Sequence, residues 1–161
     1  MRRRWVLLLA VFLLPLSAVP AWADATAFLG AATTPSNRQA RGLAVGVGLL
    51  VIGFEFEYAR VVDDPTEAAP SLRTGMANVL VQTPFAIAGV QPYATTGTGL
   101  YREEVTGGHR ETNMGFNTGG GVKVSLLGPL RARLDYRVFK FRGDPLHSLV
   151  HRVYVGLNLK F

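Results

Sequence analysis

Few residues in this 161-residue chain could do covalent chemistry, and most of them crowd one short stretch. His147 and Ser148 are adjacent, Asp144 lies three positions before His147, and His151 follows. A histidine that takes the proton of a serine hydroxyl, oriented by a carboxylate, is the arrangement of nucleophilic acyl transfer. The spacing argues against it. Neighbours on a strand point to opposite faces, so an adjacent His and Ser could meet only on a bent loop. His109 stands apart from the group. Ordinary loop polarity accounts for these residues, and no catalytic residue is expected.

Other short motifs are weaker. "GTGLYREE" and "NTGGGVKV" are glycine-rich, but neither has phosphate-loop spacing or a strand–helix unit around it. "RGD" at Arg142–Asp144 is a three-residue coincidence, and the paired aspartates of "DDPTE" are those of a solvated loop. No metal site and no cofactor are expected.

The elements that must carry these residues begin with an export signal. "MRRRWVLLLAVFLLPLSAVPAWA" has three arginines, an apolar run and a small-x-small Ala21–Trp22–Ala23 site, the pattern of a secretory leader cut after Ala23. Residues 1–23 are therefore expected to leave, and residues 24–161 to form one domain. The chain has no cysteine, which excludes both a lipid-anchored amino terminus and disulfide staples. Three of the 17 Lys and Arg lie in the leader, so the mature balance is 14 against 11 Asp and Glu, too mild to imply a nucleic-acid partner.

Beyond the leader the recurring signal is period-2 alternation. It predicts eight strands, over residues 25–33, 41–49, 54–62, 73–83, 91–105, 112–126, 131–141 and 151–161. The breaks between them alternate in character. "VIG", "PFAIAG" and "LGPL" are short and uncharged, whereas "TPSNRQA", "VDDPTEAAPSL", "TGGHRE" and "RGDPLHSLV" are polar or longer. Four up-down hairpins with tight turns at one end and polar loops at the other describe an all-β, eight-stranded antiparallel up-and-down transmembrane barrel.

The faces separate cleanly in five strands. Leu43, Val45, Val47 and Leu49 alternate with glycine and alanine; Phe54, Phe56 and Tyr58 alternate with Glu55 and Glu57. In the seventh strand Ala132, Leu134, Tyr136 and Val138 oppose Arg131, Arg133, Asp135 and Arg137. The register of strands one, four and five is not fixed by pattern. A soluble barrel would bury the apolar face, and a membrane barrel inverts this. The glycines share the polar face, as a narrow lumen requires, and acids and bases share it too, so they can pair when enclosed. These features favour the membrane.

The terminal "VYVGLNLKF" has apolar residues at every second position back from a final Phe. It resembles the assembly signal of bacterial outer-membrane barrels, which implies that Val153, Val155, Leu157, Leu159 and Phe161 are read by the barrel assembly machinery. The segment "GGGVKVSLLGPLRARLDYRVFKF" resembles the penultimate hairpin of small eight-stranded barrels such as the transmembrane domain of outer membrane protein A. The resemblance is sharp only over the last 45 residues or so, and no peptidoglycan-binding domain follows Phe161. It implies the fold and a place in the outer membrane of a Gram-negative bacterium, and it implies no activity. Barrels that deacylate lipid A use a His and Ser two apart on a strand, which this chain does not repeat.

Two charge patterns give candidate sites. With the tight turns in the periplasm, Arg38, Arg41, Arg60, Arg73, Arg102, Arg110, Lys140, Arg142 and Arg152 fall at or above the outer boundary, where phosphates of lipopolysaccharide are the expected contact. Within the barrel, Glu55, Glu57, Lys123, Arg131, Arg133, Asp135 and Lys160 are expected to form an ionic plug, since an unpaired buried charge costs several kcal/mol. The plug predicts negligible conductance, and a rise in Glu57→Ala. In the eighth strand, Val153→Arg or Leu157→Arg is expected to destabilise and Gly156→Ala to be tolerated.

The function expected is a small, monomeric, non-catalytic outer-membrane barrel with a structural or surface-interaction role. Its partners are outer-membrane lipids and lipopolysaccharide. A lipid-A-modifying enzyme, a narrow channel and a soluble periplasmic carrier are the alternatives.

Overall fold

The computed structural model describes residues 21–67, 69–105, 108 and 110–161. The expected leader lies outside these residues except for Ala21, Trp22 and Ala23. Eight strands follow in order: β1 Ala21–Ala32, β2 Arg38–Leu49, β3 Ile52–Val61, β4 Ser71–Gln82, β5 Val90–Glu104, β6 Arg110–Leu127, β7 Leu130–Phe141 and β8 Leu149–Lys160. All pairs are antiparallel and each strand joins its sequence neighbours in a closed barrel. Closure is made by β1 and β8, from Asp24↔Lys160 to Ala32↔Arg152. Phe161 continues that seam, since it and Ala23 exchange two backbone hydrogen bonds of 2.9 Å. The observed strands follow the alternation closely. The largest offset is β1, which starts four residues before Ala25 because its pairing runs into the expected leader.

The tight turns need backbone that bulky residues adopt at a cost. Gly128, in the β6–β7 turn, has φ 54°, and a Cβ there would meet nothing, so conformation and not space calls for glycine. Pro129 then fixes φ for the return. A register shift between Ser125 and Leu127 absorbs the remaining mismatch beside this turn.

The polar face is inside. On β8, Arg152 is 2 % exposed and Tyr154 1 %, while Val155 is 62 % and Leu157 57 % exposed. Leu43, Val45, Phe54, Phe56, Leu134 and Val81 likewise point outward. Outward hydroxyls on β5 and β6 are turned onto the backbone. Thr96 Oγ1 donates to the Asn117 carbonyl and Thr98 Oγ1 to that of Gly115, each at 3.1 Å. A hydroxyl satisfied this way tolerates an apolar surrounding.

Interior glycines make room for rings. Phe28 and Tyr154 stack with centroids 4.1 Å apart against the wall. A Cβ at Gly156 would lie 2.8 Å from the Ala27 carbonyl oxygen and 3.0 Å from Phe28 Cβ. Gly156→Ala is therefore not the tolerated change expected from the sequence, because its neighbours include fixed backbone. A Cβ at Gly121 would come within 2.6 Å of the Tyr93 hydroxyl. The interior of the loop end is mostly apolar, with Arg38 and Glu103 also buried there. Ala32, Ala40, Val61, Leu72, Met76, Tyr101, Phe139, Phe141 and Val150 form one buried cluster there.

Candidate functional site

The lumen holds a charge-balanced network at mid-height. Strands β3 and β7 lie opposite one another in the ring. β3 presents Glu55 and Glu57 inward, and β7 presents Arg133, Asp135 and Arg137. The Arg133 guanidinium pairs with the Glu55 carboxylate and lies 3.1 Å from Asp135. Arg137 lies 2.8 Å from Glu55, 3.1 Å from Glu57 and 2.9 Å from Asp135. Arg152 from β8 closes the set on Glu57. Three carboxylates thus meet three guanidinium groups, all nearly inaccessible.

Neutral groups take up part of the remaining hydrogen-bonding capacity, while Glu57 Oε2, Arg137 Nη1 and Arg152 Nε are buried without a hydrogen bond. The Tyr93 hydroxyl donates to Asp135 and accepts from Arg133 Nε at 2.7 Å. The Tyr154 hydroxyl donates to Asp135 at 3.1 Å. Asn117 and Asn78 extend the network, Asn117 Nδ2 to Asn78 Oδ1 at 2.8 Å. Nearer the tight turns, Asp24 receives Lys123 at 2.8 Å and Arg131 at 3.2 Å. Arg131 Nε also donates to Asn158 Oδ1 at 2.8 Å.

Of the residues expected in the plug, six are in the lumen network and one is apart. Lys160 lies over the Trp22 ring, 3.7 Å from its centroid, and no carboxylate among the described residues forms an ion pair with it. Arg137, Arg152 and Asp24 were not among the expected members. Arg137 carried the signal, since it shares a strand face with Arg133 and Asp135. Asp24 carried none, because it stands beside the expected cleavage site in a strand of unclear register.

The expected outer-rim bases divide by face. Arg152 is withdrawn from the rim by its pair with Glu57. Arg38 also turns inward, donating to the Pro70 carbonyl and, at 2.9 Å, to that of Thr34. Neither is placed to meet a lipid phosphate. Arg41, Arg60, Arg73, Arg110, Lys140 and Arg142 are exposed, and Arg102 is half-buried. The exposed loops are knitted by local bonds. The Asp64 carboxylate is held below its usual range chiefly by the Thr66 hydroxyl at 2.6 Å, and it caps the short 3-10 helix Pro65–Glu67.

The described residues with hydrolytic potential do not assemble, and His109 lies outside the described residues. His147 Nδ1 is buried without a hydrogen-bond partner. His151 faces outward and shares a 2.6 Å hydrogen bond with the Tyr136 hydroxyl through Nδ1, and no serine joins the pair.

No protein-family model matches the chain, and no curated protein matches its sequence significantly. Solved structures do match. The chain superposes on Neisserial surface protein A with TM-score 0.69 and 18% identity, over 88% of this chain and 97% of that one. It superposes on the N-terminal β-barrel domain of Pseudomonas aeruginosa OprF with TM-score 0.66 and 16% identity, over 87% and 97%. The outer membrane enzyme PagL matches with TM-score 0.55 and 11% identity, over 84% and 98%. The fold is that of the small outer-membrane barrels. At these identities the likeness speaks to the fold, and the neighbours include both a surface protein and an enzyme.

Proposed function

We propose that this chain is an exported outer-membrane barrel of a Gram-negative bacterium, non-catalytic, with a structural or surface-interaction role and lipopolysaccharide as its lipid contact. The observation that carries this reading is the inverted barrel: a continuous outward apolar wall around a lumen filled by paired charges. An apolar wall of this kind is stable only in hydrocarbon, and a closed sheet is one of two ways to satisfy every backbone group there. The non-catalytic part rests on the contacts of His147 and His151, neither of which hydrogen-bonds a serine hydroxyl among the described residues. The structural part, as against transport, rests on the ionic network and the apolar cluster above it, which together occupy the lumen of a barrel small enough to be filled by side chains. The rim contact rests on the exposed arginines at the loop end.

Cell fractionation with an unheated-gel mobility assay tests the placement. The expected result is recovery with outer membranes as a compact form that slows on boiling. Recovery as a soluble periplasmic protein overturns it. Lipid A mass spectra from cells with and without the protein test the rest, and identical spectra are expected.

A further inference from the structure

Four arginines share one row of the outer wall. Arg41 on β2 is the direct cross-strand partner of Arg60 on β3, Arg60 of Arg73 on β4, and Arg73 of Arg102 on β5. Like charges placed directly opposite are destabilising. Arg102 is relieved by Glu104 at 3.0 Å. Among the described residues, no carboxylate pairs with Arg41, Arg60 or Arg73. The row stands a few residues inside the loop end, just above the outward apolar wall. Adjacent strands are about 4.8 Å apart, so the four side chains span roughly 14 Å along the wall.

Below the first two arginines the wall is hollow. The outward column of β1 reads Ala25, Ala27, Leu29, Ala31, poor in bulk. Ala27 lies between Leu43 on β2 and Leu157 on β8, so two leucines bank a one-carbon floor. The resulting open groove has a volume of about 790 Å³, and Arg41 and Arg60 stand among its lining residues. An apolar trough headed by cations with no counter-charge is complementary to an amphiphile with an anionic head. A second copy of this face would set arginine against arginine.

We propose that the row Arg41–Arg60–Arg73–Arg102 is a binding site for the phosphate groups of a phosphorylated, multiply acylated lipid of the lipid A type, with one acyl chain seated in the groove over Ala27. Guanidinium groups grip phosphate through paired, charge-assisted hydrogen bonds. A bound phosphate between neighbouring arginines turns their mutual repulsion into shared attraction. The site rests on the outer-membrane reading and gives its lipid contact an address.

Native mass spectrometry of the detergent-purified protein tests it with a lipid series. Wild-type protein is expected to retain diphosphorylated lipid A, to retain the dephosphorylated lipid at least about tenfold more weakly, and to keep the former in the presence of millimolar inorganic phosphate. Arg41→Gln/Arg60→Gln is expected to lose about tenfold or more in retention, since one charge-assisted contact is worth roughly that factor. Ala27→Phe, which fills the groove, is expected to weaken retention too. Lys160→Gln, at the tight-turn end of the barrel and away from the row, is expected to bind as wild type. Equal retention of phosphorylated and dephosphorylated lipid by the wild type, or no loss in either variant, overturns the site. The wild-type series stands even if a variant fails to fold. A protein recovered from outer membranes that retains no phosphorylated lipid defeats this inference and the lipid contact it addresses but leaves the membrane placement standing, whereas recovery from the soluble fraction defeats the placement beneath both.

Discussion

Arg137 on β7 reaches across the barrel to Glu57 on β3, with 3.1 Å between guanidinium nitrogen and carboxylate oxygen. The two strands lie opposite each other in the ring, so this pair is a strut through the lumen and not a contact along the wall. Glu57 is shared with Arg152, and Arg137 is shared with Glu55 and Asp135. Each charge therefore has more than one partner.

Removing one member should expose that dependence. Glu57→Ala leaves Arg137 and Arg152 short of their carboxylate in a dry interior. A loss of about 3–5 kcal/mol is expected, as for other broken buried pairs. Urea unfolding in detergent, followed by the heat-dependent gel shift, measures it. The double variant Glu57→Met/Arg152→Met should lose less than the sum of its single variants. Additive losses would mean that the two groups do not act as a pair.

Conduction separates the ionic network from the seal above it. Wild-type protein in planar bilayers is expected to show negligible conductance. The sequence alone predicts that Glu57→Ala opens a path. The apolar cluster at the loop end, with Phe139, Phe141 and Tyr101, argues otherwise, because its buried rings fill that end of the barrel with side chains that Glu57→Ala leaves in place. Conductance is expected to stay low in Glu57→Ala and to rise only when Phe141→Ala is added. A steady wild-type conductance would favour the channel reading.

The pattern of the residues explains which of these features could be read in advance. Phe54, Glu55, Phe56 and Glu57 alternate by type as they alternate by face, so strand and inside-out orientation were legible. β1 offers Ala25, Ala27 and Ala31 on one face, and β5 offers Thr95, Thr96 and Thr98 in a run, so size and polarity give little contrast there. The apolar seal was hidden for a related reason. On β7 the inward face changes from Arg133 and Arg137 to Phe139 and Phe141, against the rule that the lumen is polar. Partners across the barrel depend on the stagger of closure, which no local pattern encodes. The same holds for the arginine row, whose four members come from four strands.

Face assignment on β8 predicts opposite causes for two losses. Val155→Arg places a charge on the outer wall near mid-strand, and a cost of about 2–4 kcal/mol is expected at the membrane midplane. Gly156→Ala adds one carbon against the Ala27 carbonyl and Phe28, and a loss of about 1–3 kcal/mol is expected from overpacking. Unfolding in detergent and in lipid vesicles tells them apart. The arginine penalty should shrink in detergent, where water reaches the wall, and the alanine penalty should not. An arginine variant as stable as wild type in both would invert the faces.

The carboxyl terminus gives a prediction in which assembly and stability part company. Phe161 is 69 % exposed, and its backbone bonds are made to Ala23. The expected cleavage after Ala23 would remove that partner, and the closing pairs would then begin at Asp24↔Lys160. Phe161 then contributes one outward ring and little else to the folded barrel. Its resemblance-based role as the last residue of an assembly signal asks for much more. Deletion of Phe161 is therefore expected to leave refolding into detergent almost unchanged while blocking insertion in cells, with unfolded material in the periplasm. An intact-mass measurement of the exported protein fixes the cleavage point. Equal loss in the test tube and in the cell would make Phe161 a structural residue, and normal insertion of the shortened chain would remove the assembly role.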